Sequence, residues 1–257
     1  MKTDLETAVS KSFVLRAADR GHDRIPSTGP NSSYVSGHPE SFIIRDSSFN
    51  FHEYQDGRHG FGRMRVFGDE VFHGMGCGYN MHPHHNFIIC AVVLKGCLIH
   101  INTLGDIDQL GPGDYYAFSA GSGGKHTELS IGDEDMHAIY LWFIPGKLSL
   151  PPTYARAHFD SITRRNQITQ LVGDANGALP VEQDIRISRL AGDRPADYIY
   201  TPRSSGHGVY VFVIDGELQC QGETLGWRDS IGAWGQSSLA CRTGHGGADV
   251  LLVETIM

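Results

Sequence analysis

Apolar residues in this chain come in short bursts. Residues 87–94, 97–101, 115–118 and 138–144 are each of strand length and are bounded by Gly, Pro, Asp or other polar residues. Runs of this kind predict buried or half-buried β-strands. No window of helical length carries apolar residues at a sustained helical period; the nearest candidate is a turn or two of helix around 161–171. Residues 19–41 are rich in Gly, Pro, Ser and charge and are expected to form an extended loop, with 1–40 as an N-terminal extension. The longest apolar run, 87–94, is far shorter than the roughly 20 residues that cross a bilayer. The pattern predicts an all-β protein.

The strand-and-turn pattern occurs twice. Val93-Leu94-Lys95-Gly96-Cys97-Leu98 is followed by Leu110-Gly111-Pro112-Gly113-Asp114. Val213-Ile214-Asp215-Gly216-Glu217-Leu218 is followed by Leu225-Gly226-Trp227-Arg228-Asp229. Each copy runs from an apolar strand into a tight turn at Gly, out along another strand, and into a turn ending in Asp. A spacing of roughly 115–120 residues is too long for a solenoid unit and suits a duplicated barrel. The segment 145–180 is expected to join the halves.

Composition narrows the class. At 257 residues the chain suits two domains, and 40% hydrophobic with 19% charged residues is a globular balance. The 32 glycines imply many turns. A formal net charge of −8, with no cluster of Lys and Arg, argues against a direct nucleic-acid partner and against an anionic membrane. The five cysteines (Cys77, Cys90, Cys97, Cys220, Cys241) include no CxxC pair; Cys90 and Cys97, in apolar strands, read as small core residues. Residues 1–16 contain Asp4 and Glu6 and lack the apolar stretch of a secretory leader. The expectation is a soluble, cytoplasmic protein with reduced thiols.

The chemistry concentrates in His82-Pro83-His84 and, about 40 residues on, His126-Thr127-Glu128. Residues i and i+2 of a strand share a face, so each pair aims two donors one way. Among 14 histidines a single His-x-His is unremarkable. A second pair placed where a barrel would return makes a divalent metal site the better reading: three imidazoles and a carboxylate suit Fe, Ni, Cu, Mn, Co or Zn. Pro83 fits a strand edge at a barrel rim. Equivalent offsets in the second half fall on Pro202, Ser204, Cys241 and Thr243, with His207 and His245 off register. No metal is expected there. His85 should face away from the site. His100 reads as either a ligand-orienting neighbour or a satisfied core histidine. His52, His59 and His73 are expected on surface loops, and Tyr54, Phe61 and Phe118 as barrel core or walls for a flat ligand.

The stretch from Gly76 to Glu128 resembles the pirin signature. His82-Pro83-His84, Val93-Leu94-Lys95-Gly96, Thr103-Leu104-Gly105, Pro112-Gly113-Asp114, Ser119-Ala120-Gly121-Ser122-Gly123 and His126-Thr127-Glu128 follow its order. Gly60-Phe61-Gly62-Arg63-Met64-Arg65-Val66 and Leu141-Trp142-Phe143-Ile144-Pro145 resemble flanking strands of that family. The resemblance implies a bicupin, two tandem cupin-type barrels: 41–150 binding one metal ion, usually iron, and 151–257 holding a linker and a metal-free barrel. It implies His82, His84, His126 and Glu128 as ligands. Ile88, Ala117, Phe118 and Ser122 depart from the family pattern around the pocket, which bears on the substrate more than on the metal.

The function implied is an Fe(II) oxygenase of a small enol or phenolic substrate, resembling quercetin 2,3-dioxygenases. The ion would act as Lewis acid and template, and Glu128 as the base for the substrate hydroxyl. The alternatives are a metal-dependent pirin-type regulator that binds a protein partner, and a metal-dependent lyase or isomerase that does not use O2.

Overall fold

A computed structural model describes residues 11–50 and 58–257. Their regular structure is almost entirely strand; the helical pieces are two three-residue 3-10 turns, Ala17–Asp19 and Gly29–Asn31. No helix among them is long and apolar enough to cross a membrane. They divide into two compact units, one of residues 20–50, 58–163 and 171–184, the other of 11–19, 164–170 and 185–257.

The first unit is a barrel of two sheets. The larger runs Thr153–His158, Asp114–Ser119, Ile88–Lys95, Met136–Phe143, Met64–His73, Phe42–Phe49, Gly21–Pro26, with every neighbour antiparallel. The smaller runs Val35–Ser36, Gly78–His84, Gly124–Ser130, Leu98–Asn102, Ile107–Leu110. Ile43, Phe72, Ile89 and Ala138 of the larger sheet join Val35, Tyr79, Leu98 and Leu110 of the smaller in one core. The first six residues of Ile88–Lys95 are buried on both faces, which explains why its apolar run is continuous rather than alternating.

The second unit carries Lys11–Leu15, Ser230–Trp234, His207–Cys220, Leu239–Ile256 and Ile185–Gly192 side by side, with Asp197–Tyr200 on Leu239–Ile256 and Glu223–Leu225 on His207–Cys220. Phe13 packs on Tyr210 and Trp234.

The duplication is visible in the turns. Gly113 N–H donates to Val93 O at 2.9 Å and Arg228 N–H to Val213 O at 2.8 Å. Asp114 accepts from Gly111 N–H at 2.8 Å, and Asp229 from Gly226 N–H at 3.1 Å. Gly96 and Gly216 hold φ of 70° and 80°, and a Cβ on either would lie 2.6 or 2.4 Å from a backbone oxygen. Neither position admits a side chain without a shift. One half differs from expectation: Gly96 separates two strands, whereas Gly216 is an irregularity inside the continuous strand His207–Cys220.

Three other expectations are corrected. Residues 19–41 are not an extended loop; they contain the strands Gly21–Pro26 and Val35–Ser36. The segment after Pro152 contains Thr153–His158, an edge strand of the first barrel. No helix forms near 161–171; turns lead into the strand Ile168–Val172. All three segments are half-exposed edges, where burial leaves little apolar signature.

Candidate metal centre

Strand alternation places His82 and His84 on one face of Gly78–His84, and His126 and Glu128 on one face of Gly124–Ser130. The strands are adjacent, and His126 lies opposite His82. Between His126 and Glu128 the ladder slips, so that Glu128 pairs with Tyr79 rather than Asn80. This bulge turns Tyr79 toward the donors. Thr127 Oγ1 donates to Tyr79 O at 2.7 Å across the irregularity.

The result is a convergence of three imidazoles whose candidate donor nitrogens all lie within 4.8 Å of one another. His82 Nε2 and His126 Nε2 are 3.1 Å apart. His82 Nδ1–H can donate to Asn80 O at 2.7 Å, which leaves Nε2 as a lone pair. His126 meets His100 Nε2 at 3.1 Å through its other nitrogen, Nδ1. His84 Nε2 is buried and has no hydrogen-bond partner. Glu128 stands beside the group, with Oε2 3.7 Å from His126 Nε2, while Oε1 accepts a short hydrogen bond from Tyr116.

Burial sets the charge states. It lowers His84 to about 3, with His82 adding to the effect. His126 falls well below its ordinary value for the same reason, reinforced by its three histidine neighbours. His82 is lowered by burial, and His100 by burial to about 4. At neutral pH the cluster is therefore uncharged, the form in which imidazole binds metals. Burial raises Glu128 to about 8, against the opposing Tyr116 hydrogen bond. A nearby cation would return its carboxylate to the charged form.

Several surrounding groups were not legible in the sequence. Tyr154, on the strand expected to be linker, stacks flat on His100 with ring centroids 4.7 Å apart. Trp142 stands edge-on to His84 at 4.7 Å. Tyr34 sits edge-on to His82 at 5.9 Å. A cavity of about 60 Å3 adjoins Glu128, walled by Tyr34, Arg45, Glu70, Tyr79 and Tyr140. Burial raises Glu70 too, and it accepts from Tyr79 OH at 2.6 Å.

Of the other residues singled out, His85 is exposed and contacts Asn86. His100 is fully buried and touches His126, so it is a neighbour of the cluster. His59 is exposed, and His73 pairs with Asp135 at 2.7 Å. Phe61 is core, and Phe118 is core that also packs on His126 with ring centroids 5.1 Å apart. Ala117 is buried, and Ser122 is exposed. Ile88 lines a second hollow, of about 350 Å3, with Phe87 and Leu150. His52 and Tyr54 lie outside the described residues.

Two family models match successive parts of the chain: "Pirin" over residues 38–143 and "Quercetinase C-terminal cupin domain" over 173–255. The chain belongs to the pirin family. Its tandem barrels are the two cupin domains of that family. It is 27% identical to the quercetin 2,3-dioxygenase of Escherichia coli K12 over 210 residues, covering 80% of this chain and 89% of that protein. A pirin-like protein of Caulobacter vibrioides is 26% identical over 204 residues, covering 77% and 86%. The crystal structure of the bacterial pirin YhhW from Escherichia coli in complex with nickel(II) superposes with a TM-score of 0.81 at 22% identity, covering 96% of this chain and 99% of that one. In the pirin frame the histidine cluster belongs to the N-terminal cupin. The ladder also corrects the expected counterparts in the C-terminal cupin. Leu239 faces Tyr200 as His126 faces His82, and Cys241 faces Cys220 as Glu128 faces His100. Each counterpart is thus two residues nearer the N-terminus than the motif spacing implied.

Proposed function

We propose that this pirin is a metal-dependent dioxygenase acting on a small enol or phenolic substrate, with one divalent ion held by His82, His84, His126 and Glu128. The observation that carries the reading is the convergence of three neutral imidazoles, two of them buried and His82 half-buried, in a pirin N-terminal cupin. The residues fit such an ion: a buried nitrogen left without a partner, as His84 Nε2 is, costs stability unless something takes its lone pair. The donor set suits Fe(II) and also Ni, Co, Cu, Mn and Zn. Fe(II) is our first choice. The nickel complex of YhhW and the E. coli quercetin 2,3-dioxygenase support metal dependence and this substrate class.

When bound, the ion supplies Lewis acidity to a coordinated hydroxyl and a route to O2. The protein supplies the rest. His100 fixes the tautomer and tilt of His126, and Tyr154 fixes the plane of His100. Tyr116 holds Glu128 Oε1, so Oε2 faces the cluster and can accept the substrate's hydroxyl proton. Trp142, against His84, shields the donors from water.

The test is oxygen uptake by Fe(II)-reconstituted protein with a panel of flavonols and smaller enols. Metal-dependent O2 consumption that falls to background in Glu128→Gln is the expected result. Product formed equally well without O2 would replace this reading with a lyase or isomerase. Metal binding with no turnover on the panel would favour a regulator.

A further inference from the structure

The C-terminal cupin carries a chemical site of its own. Cys220 ends His207–Cys220 and lies directly opposite Cys241 on Leu239–Ile256. Their sulfurs are 3.1 Å apart, with the Cys241 thiol donating to Cys220. Residues directly opposed across an antiparallel ladder have Cα atoms about 4.5–5.5 Å apart, within the roughly 4.4–6.8 Å that a disulfide spans. Closing the bond therefore needs side-chain rotation and little backbone movement.

The ladder holds that register. Just beyond Cys220, Gln221 and Gly222 both adopt positive φ (53° and 82°), the pattern of a two-residue hairpin turn, and Cys220 pairs onward with Glu223. Both thiols are nearly buried, at 1% and 6% exposure. An open surface groove lined by Tyr198, Ile199, Gln219, Thr224 and both cysteines runs past them and gives a small reagent a way in. The hydrogen bond from Cys241 also favours the Cys220 thiolate, the reactive form.

We propose that Cys220 and Cys241 form a dithiol site that small disulfides of the glutathione type oxidise reversibly to an intrachain disulfide. The Cys220 thiolate attacks one sulfur of the small disulfide, whose S–S bond breaks and releases one thiolate. The resulting mixed disulfide is then attacked by Cys241, which loses its proton; the Cys220–Cys241 bond forms and a second small thiolate leaves. Two protein thiols lose two electrons and two protons. The small disulfide gains both electrons and departs as two thiols. Excess small thiol reverses the sequence.

The site does not depend on the proposed metal centre, and neither does its test. The full-length protein is equilibrated in glutathione buffers of rising disulfide fraction, free thiols are blocked, and peptides are mapped by mass spectrometry. Two of the five thiols should disappear together, in a peptide pair joined through Cys220 and Cys241. The oxidised protein should melt at a higher temperature than the reduced protein, and Cys220→Ser and Cys241→Ser should each abolish that rise. The proposal is overturned if both thiols stay reduced in buffers that already modify the more exposed Cys97. It is equally overturned if a glutathione adduct persists on either cysteine with no link between them. The wild-type map decides even if a serine variant folds poorly.

Discussion

The two cupins share turns, ladder and length of repeat, yet they carry opposite interiors at the same rungs. In the N-terminal barrel the rung of His82 and His126 and the rung of His100 and Glu128 are polar and largely buried, and His126 is hydrogen-bonded to both His82 and His100. In the C-terminal barrel those rungs hold Tyr200 with Leu239 and Cys220 with Cys241, all within one apolar core. A cupin needs no polar interior to fold. The histidine cluster is thus a cost that the first barrel bears, offset by Asn80 O, Tyr116 and His100 as partners and, in our reading, by a metal ion.

That contrast can be broken most forcefully at its central rung. His126→Ala should take metal content and oxygen uptake to background. Leu239→Ala, at the equivalent rung, should lower unfolding free energy by about 2–5 kcal/mol by leaving a cavity in a fully buried site. Its metal content should stay unchanged. Urea titration and elemental analysis of both variants separate the two roles; metal loss in Leu239→Ala would contradict the division.

One step further out, His100→Gln keeps the bulk but alters the partner of His126. It should weaken metal binding by about 10–100-fold, as loss of a ligand-orienting group does, with the fold intact. Competition with a chromogenic chelator measures this, and an unchanged affinity would make His100 a packing residue only.

Acid sharpens the contrast in the metal-free protein. The folded-state value of His84 is depressed, so its contribution to stability is present above about pH 6.5 and is lost as pH falls toward 3. Between pH 7 and pH 5 this one group should cost about 2 kcal/mol. Urea midpoints of the metal-free protein should therefore fall over that interval, and His84→Phe should fall less. Equal slopes would mean that His84 is not held neutral.

The smallest effects belong to the shared turns. Asp114→Ala removes a bond from Gly111 N–H and an exposed contact with His158 Nδ1, and should cost about 1 kcal/mol. Asp229→Ala should cost more, because Asp229 accepts from two backbone N–H groups, those of Gly226 and Ala17, besides pairing with Arg16. Differential scanning calorimetry ranks the two, and equal melting temperatures would remove the N-terminal strand's role in the second barrel.

The turn signals and the spacing of the candidate donors were legible in the sequence because they are local. Gly96, Asp114, Gly216 and Asp229 punctuate the chain, and the i, i+2 pairs of His82/His84 and His126/Glu128 need only strand alternation to share a face. The rest was hidden because it is set by register. The bulge opposite Thr127 brings Tyr79 inward, and nothing in the sequence Tyr79-Asn80-Met81 announces it. Counting from the turns put Cys241 in the place of His126; the ladder puts Leu239 there. Tyr116 and Trp142 come from the opposite sheet, and Tyr154 from a strand whose exposed, polar pattern resembles a linker. No spacing along the chain encodes such contacts.

The most direct test of the central claim is metal stoichiometry by elemental analysis, on wild type and on His84→Ala, both purified without chelators or a histidine tag and reconstituted anaerobically with Fe(II). The account predicts about one ion per chain in wild type and close to none in the variant. Equal metal in both, or none in either, would contradict it.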